Sequence, residues 1–157
     1  MGDFMKKILF ICYGNICRSP MAEMIFNSII TEHNKNHFLS CDSKATSSEE
    51  IGNDIYYKAK EVLKKHNIEV MNHQACKVTK YDYNKYDYIV VMEERNKQDL
   101  LKIFENDTEN KIKLLLDKED IEDPWYTNRF EDVYQKIYKG CINLYKRIIE
   151  EDDNNEI

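Results

Sequence analysis

Proline and glycine are scarce, two and four in 157 residues, and no stretch rich in either marks a linker, an internal repeat or a second domain. No apolar run approaches the roughly 20 residues that a membrane-spanning helix requires. No leader is expected either. After Met1-Gly-Asp-Phe-Met-Lys-Lys7 the apolar run 8–12 is too short for a signal peptide and lacks a cleavage site, and Lys6 stands where a myristoylated Gly2 would need Ser or Thr. Basic residues are outnumbered, 23 against 29 acidic for a formal net charge of −6, which argues against non-specific binding of nucleic acid. The five cysteines are odd in number and irregularly spaced; this is not the disulfide framework of a small secreted protein, and reduced thiols are expected. A Gly-Lys-Ser/Thr loop is absent, and Cys12-x4-Cys17 has no second pair of matching spacing to complete a zinc site. No metal or cofactor is expected. These absences predict a cytoplasmic protein without a membrane segment. Its length suits one domain over 1–157 with a substantial core, and the acidic run Glu150-Glu-Asp-Asp-Asn-Asn-Glu156 is expected to be a disordered tail from about 150.

What the chain does contain is the stretch Phe10-Ile-Cys12-Tyr-Gly-Asn-Ile-Cys17-Arg18-Ser19-Pro20. It lies between an apolar run at 8–11 and apolar residues at helical spacing over 21–30, the pattern of a strand-to-helix turn. Successive backbone N–H groups in such a turn form a nest which, with the positive end of the following helix, suits a dianionic phosphate. Arg18 supplies a planar fork matched to two phosphate oxygens. Cys12 falls where the strand ends, under the same positive field, which favours thiolate over thiol. A thiolate held against a bound phosphate is a nucleophile.

The rest of the chain alternates. A strand is expected over 7–12, then a helix capped by Ser19 with Pro20 at its first position and with Met21, Met24, Ile25, Ser28 and Ile29 inward. A break at 34–37 precedes a strand at 38–42 and a polar loop at 43–53. Ile55, Ala59, Val62 and Leu63 mark a second helix, and 68–71 return to the sheet. Strands at 88–92 and 112–116 flank a helix at 96–104 with Leu100, Leu101 and Phe104 inward. From 130 the spacing of Val133, Tyr134, Ile137, Cys141, Leu144, Tyr145 and Ile148 predicts a long helix, in which Gly140 marks close packing. The fold class is α/β, a parallel sheet covered on both faces, with ligands at the carboxyl ends of the strands, where Cys12 falls.

Cys12-x5-Arg18-Ser19, filled in with Gly14, Asn15, Cys17 and Pro20 and followed by Ala22-Glu23, closely resembles the low-molecular-weight protein tyrosine phosphatases. The likeness runs from Ile8 to about Leu144. It is strongest at the first turn and at 42–52, 73–79, 87–92 and 123–126. It implies a three-layer fold with a four-stranded parallel sheet, and cysteine-dependent, metal-independent hydrolysis of phosphotyrosine in proteins and of small aryl phosphates through a phosphocysteine. The resemblance assigns the nucleophile to Cys12, the phosphate cradle to Tyr13, Gly14, Asn15, Ile16, Cys17, Arg18 and Ser19, and the general acid to Asp123. By itself Asp123-Pro-Trp-Tyr126 reads as a common turn, with Trp125 and Tyr126 able to wall a pocket and stack on an aryl ring. Ser19 is implied to hydrogen-bond the thiolate, and Asn15 to hold the loop through Ser43 and His73; taken singly, these two read as a turn serine and a partly buried histidine. Cys17 is either a small buried thiol or, as the family implies, the partner of Cys12 in a disulfide formed under peroxide. Cys41, Cys76 and Cys141 read as packing residues.

Three positions depart from the family. Glu49 stands where many animal members place an aromatic, which leaves the sequence context of the substrate open. Cys76 replaces the usual Arg, and Trp125 the first of two tandem tyrosines. Tyr13, Glu49, Trp125 and Tyr126 are expected to line the substrate pocket. Three rivals use the same loop. Arsenate reduction needs a resolving pair of cysteines beyond the middle of the chain, where Cys76 is alone. Arginine-phosphate hydrolysis goes with Thr where this chain has Ile16, and an apolar Ile favours an aryl phosphate. A phosphate-binding module without turnover has no need of Cys12, Arg18 and Asp123 together. The expected partners are phosphotyrosine proteins, met by a monomer or weak homodimer.

Overall fold

A computed structural model describes residues 5–155; Gly2 and the end of the acidic run, Glu156 and Ile157, lie outside the described residues. The elements follow in the order β1 Lys6–Cys12, α1 Arg18–Glu32, β2 Leu39–Ala45, α2 Tyr57–Lys65, α3 Asp82–Lys85, β3 Tyr88–Val91, α4 Glu94–Phe104, β4 Ile112–Leu114, α5 Pro124–Thr127 and α6 Phe130–Asn155. The four strands form one sheet in the order β2-β1-β3-β4, all neighbours parallel. Because side chains alternate along a strand, β1 is buried on both faces. Ile8 and Phe10 join a core with α1, α2 and α6, whereas Leu9 and Ile11 join one with α4, Tyr83 and Tyr86. From Ile8 to Cys12 the strand is apolar and buried at every position, as a doubly covered parallel sheet requires.

The chain leaves β1 to one side for β2 and later returns on the other side as β3. The crevice outside the carboxyl ends of β1 and β3 is therefore the point where the winding reverses, and it holds the turn after Cys12.

Several boundaries differ from the sequence expectation. Helix α1 begins at Arg18, with Cys17 as N-cap and no side-chain cap, because the Ser19 hydroxyl turns sideways to Cys12 and Asn15. Pro20 remains in the first turn, where its missing N–H costs nothing. Strand β2 runs on to Ala45, since Leu39, Cys41, Ser43 and Ala45 are buried in alternation. Residues 68–71 form no strand; Ile68 packs into the core and Met71 N–H donates to the Met24 sulfur at 3.4 Å, so the segment loops back towards the turn. The acidic run is not a disordered tail through Asn155, where α6 ends. Ile148 is buried beneath it, and the Tyr88 hydroxyl holds Glu151 Oε2 at 2.6 Å. Cys41 and Cys141 are buried as packing residues, but Cys76 is exposed.

Gly140 sits where α6 crosses β4's continuation. A Cβ built there would lie 2.6 Å from Leu115 Cγ, closer than packed carbons approach. Overpacking of this kind costs about 1–3 kcal/mol, while alanine returns about 1 kcal/mol of helix propensity. Gly140→Ala should therefore lower stability by up to about 2 kcal/mol in urea titration, and Leu115→Ala should offset part of that loss in the double variant.

Candidate active site

The turn that follows β1 wraps its backbone around the Cys12 sulfur. Asn15 N–H points at Sγ from 3.2 Å and Ser19 N–H from 3.4 Å, and the Ser19 hydroxyl lies 3.0 Å away. Cys12 is 3% exposed, so these groups form most of the sulfur's surroundings. Each can donate to an anionic sulfur.

Asn15 makes this wrap possible. It has φ 62°, a left-handed conformation that asparagine tolerates better than most side chains, and it is fully buried. Its amide donates to Ser19 Oγ at 2.8 Å and Ser43 Oγ at 2.9 Å, and its Oδ1 accepts from Cys76 N–H at 3.1 Å. Its carbonyl accepts from His73 Nε2 at 2.7 Å; with a carbonyl as partner, this nitrogen carries the proton. Burial pushes the His73 imidazole below the ordinary histidine range. Ser43 in turn donates to Glu23 Oε1 at 2.6 Å. Burial pushes the Glu23 carboxyl up to about 7, although the Ser43 bond opposes the shift.

Arg18 opens α1 and is 2% exposed. Its Nη1 donates to Glu93 Oε2 at 2.5 Å and to the Ile121 carbonyl at 2.9 Å, which fixes the guanidinium plane. Glu93 caps α4 in a box with Asn96 and so is itself held. Burial disfavours the guanidinium charge, but Cys12, Asp123 and Glu93 outweigh it and keep the pKa above the ordinary arginine value. A buried charge persists only when paired and hydrogen-bonded. Nη2 remains directed to the pocket, 3.5 Å from Asp123 Oδ2.

Asp123 caps α5, its Oδ1 accepting from Trp125 N–H at 3.0 Å. The Trp125 ring meets Tyr56 edge-on with centroids 4.9 Å apart, and Tyr56 N–H donates to the Ile16 carbonyl at 2.9 Å. One residue thus ties the Asp123 segment to the turn after Cys12.

The structure brings Cys12, Tyr13, Gly14, Asn15, Ile16, Cys17, Arg18, Glu49, Asp123, Trp125 and Tyr126 around one pocket of about 80 Å³. Ser19, Ser43 and His73 stand behind it. Cys17 is 4% exposed, and burial, with Cys12 nearby, pushes its thiol well above the ordinary cysteine value. A larger cavity, about 580 Å³, lies at the other end of the sheet between β4 and α6, lined by both basic and acidic side chains. Sequence reasoning did not identify Glu93 or Glu23. Glu93 follows the second central strand at the point where the winding reverses, and that position was the available signal; Glu23 sits one helical turn beyond Ser19, which alone marks nothing.

The family model described as low molecular weight phosphotyrosine protein phosphatase matches residues 7–154. A low molecular weight phosphotyrosine protein phosphatase of Gallus gallus is 41% identical over 152 residues, covering 92% of this chain and 94% of its own. Among solved structures, YfkJ of Bacillus subtilis superposes with a TM-score of 0.92 at 32% identity, covering 96% of this chain and 99% of its own. Wzb of Vibrio vulnificus, solved in complex with benzylphosphonate, superposes with a TM-score of 0.80 at 31% identity, covering 91% and 99%. The thiol wrapped in N–H groups, the buried arginine and the aspartate facing it thus lie on a fold and a sequence with one common assignment: the chain belongs to the low molecular weight phosphotyrosine protein phosphatase family, whose members are hydrolases.

Proposed function

We propose that this chain hydrolyses phosphotyrosine in proteins, and small aryl phosphates, by covalent catalysis at Cys12 with Asp123 as general acid and then base. The observation that carries the reading is the Cys12 sulfur at the floor of a pocket with Arg18 and Asp123 on its walls, 3.5 Å from one another. In the first step the Cys12 thiolate attacks phosphorus in line; the S–P bond forms, the ester O–P bond breaks, and protonated Asp123 gives its proton to the leaving phenolate. In the second step Asp123 takes a proton from water, the water oxygen bonds to phosphorus and the S–P bond breaks, releasing phosphate and regenerating the thiolate.

Charge on the three equatorial oxygens is met by the backbone N–H groups of the cradle from Tyr13 to Ser19 other than those of Asn15 and Ser19, which face the sulfur, and by the N–H groups of Arg18 that Glu93 and Ile121 leave free. Ser19 stabilises the thiolate as it leaves, at the 3.0 Å separation present here. Asn15 acts through the loop's shape, with Ser43 and His73 supporting it. Ile16 keeps the cradle apolar at its side, and Trp125 and Tyr126, 54% and 83% exposed, offer faces for the aryl ring. The rest of the reading is a one-domain, cytoplasmic enzyme acting on phosphoproteins as a monomer or weak homodimer. It is supported by the family match over 7–154 and by the absence, among the described residues, of a helix long and apolar enough to cross a membrane.

The direct assay is hydrolysis of para-nitrophenyl phosphate in the presence of a chelator, beside phosphotyrosine, phosphoarginine and arsenate. Turnover of the aryl phosphate and phosphotyrosine is expected, and Cys12→Ser should abolish it. Asp123→Ala should lower kcat by about 10²–10⁴-fold, the usual range for a general acid, most for poor leaving groups. Activity that survives Cys12→Ser would contradict the mechanism.

Asn15→Ala removes three buried side-chain bonds and puts a non-asparagine side chain at positive φ. It should cost about 2–4 kcal/mol of stability in denaturant titration along with most of kcat. Asn15→Gly accommodates the backbone angle but not the bonds, and should be less unstable than Asn15→Ala while equally impaired in turnover.

A further inference from the structure

The mouth of the pocket carries a charge that the phosphate chemistry does not use. Glu49 is exposed in the loop after β2, and the Tyr13 hydroxyl donates to its Oε1 at 2.6 Å. Tyr13 directly follows Cys12. Its carbonyl accepts from Ser47 N–H at 3.1 Å and Ser47 Oγ at 2.9 Å, and Thr46 N–H donates to the Cys12 carbonyl at 3.0 Å. The loop bearing Glu49 is therefore fastened to the cradle by backbone as well as by side chain. An exposed glutamate ordinarily samples many rotamers; this one is held at the rim. The bond to Glu49 pushes the Tyr13 phenol above the ordinary tyrosine range, so the hydroxyl stays a donor.

Beside the pocket runs a second groove of about 420 Å³, which shares Tyr13, Arg18, Glu49, Asp123 and Tyr126 with it. The partners of its carboxylates differ. Glu93 is bound by Arg18, Glu122 by Arg129 and Lys136, and Asp123 faces Arg18. Asp120 accepts a backbone N–H from Glu94 at 2.9 Å. Glu49 has the neutral Tyr13 hydroxyl as its hydrogen-bond partner and makes no ion pair among the described residues. It is thus an oriented anion without an ion-pair partner among the described residues, placed where the chain flanking a bound phosphotyrosine would pass. Arg95, in the same groove, is the opposing candidate: if it set the local field, acidic neighbours would be favoured instead.

We propose that Glu49, oriented by Tyr13, is a specificity-determining residue that selects phosphotyrosines flanked by lysine or arginine over those flanked by acidic residues; this rests on the phosphatase reading above. A substrate cation gains an ion pair whose carboxylate is already positioned, so less side-chain entropy is lost than between two free surface groups. An acidic neighbour meets like charge across the same groove.

The test measures kcat/KM of the full chain on one phosphotyrosine peptide sequence with Lys, Gln or Glu beside the phosphotyrosine. The parent, Glu49→Gln and Tyr13→Phe are compared at low and high ionic strength. The basic-to-acidic ratio is taken within each variant, so that a change in overall rate cancels, and a melting curve checks that each variant is folded. The parent ratio should be about fivefold or more, since the swap exchanges one surface-scale attraction for one repulsion. It should fall by half or more in Glu49→Gln, lie between the two in Tyr13→Phe, and shrink as salt is added. A parent ratio near one, a preference for acidic peptides, or a basic preference that Glu49→Gln leaves unchanged would each overturn the proposal while leaving the phosphatase reading intact. Failure to hydrolyse any of the peptides would overturn both.

Discussion

The turn between Cys12 and Arg18 keeps its curvature because Asn15, buried and at positive φ, bonds through its amide nitrogen, its amide oxygen, its N–H and its carbonyl. Four separate parts of the chain meet in those bonds: the Cys12 thiol, Ser19 at the start of α1, Ser43 in β2, and the returning loop with His73 and Cys76. A buried amide with every hydrogen-bonding group matched is stable, and the same amide half matched would be costly. Once Asn15 is fixed, its own N–H and that of Ser19 have no other direction to point than at sulfur, and the rest of the cradle follows from chain connectivity.

Charge is then arranged against the character of the whole molecule. The chain has a formal net charge of −6, yet its pocket is built for a dianion. The reconciliation is local: helix α1 presents its N-terminus to the pocket, backbone N–H groups are concentrated in the turn, and Arg18 is buried with its counter-ion Glu93 on the side away from the pocket. Such a pair is costly to desolvate, and the capping box that holds Glu93 reduces the further cost of ordering it. Outside this small volume the acidic character reasserts itself, and at Glu49 it reaches the rim.

The sheet and the turn were legible because their causes are local. An apolar run that ends in Tyr13-Gly14-Asn15 and is followed by helical periodicity admits few arrangements, and the 3–4-residue spacing from Val133 to Ile148 sufficed for α6. Gly140 was legible as a close contact, though not that Leu115 would be its partner. What escaped depended on tertiary partners. Ser19 has the chemistry of an N-cap, but its hydroxyl is taken by Cys12 and Asn15, and the helix starts at Arg18 with Cys17 as its cap, two residues earlier. Residues 68–71 have the composition of a strand, yet their course is set by the need to bring His73 to the Asn15 carbonyl. Glu93 as the mate of Arg18, and the contact of Tyr88 with Glu151 in the last turns of α6, join residues far apart in sequence, which no periodicity reveals.

Turnover by this mechanism requires a phosphoryl group to pass through Cys12. Rapid acid quench during turnover of an aryl phosphate, followed by proteolysis and mass spectrometry, should find one phosphoryl group on the peptide that contains Cys12 and none on any other cysteine. The adduct should accumulate further in Asp123→Ala with a good leaving group, because its hydrolysis needs the missing base. Turnover at full rate with no phosphoryl group on Cys12, or with the adduct on another residue, would contradict the account.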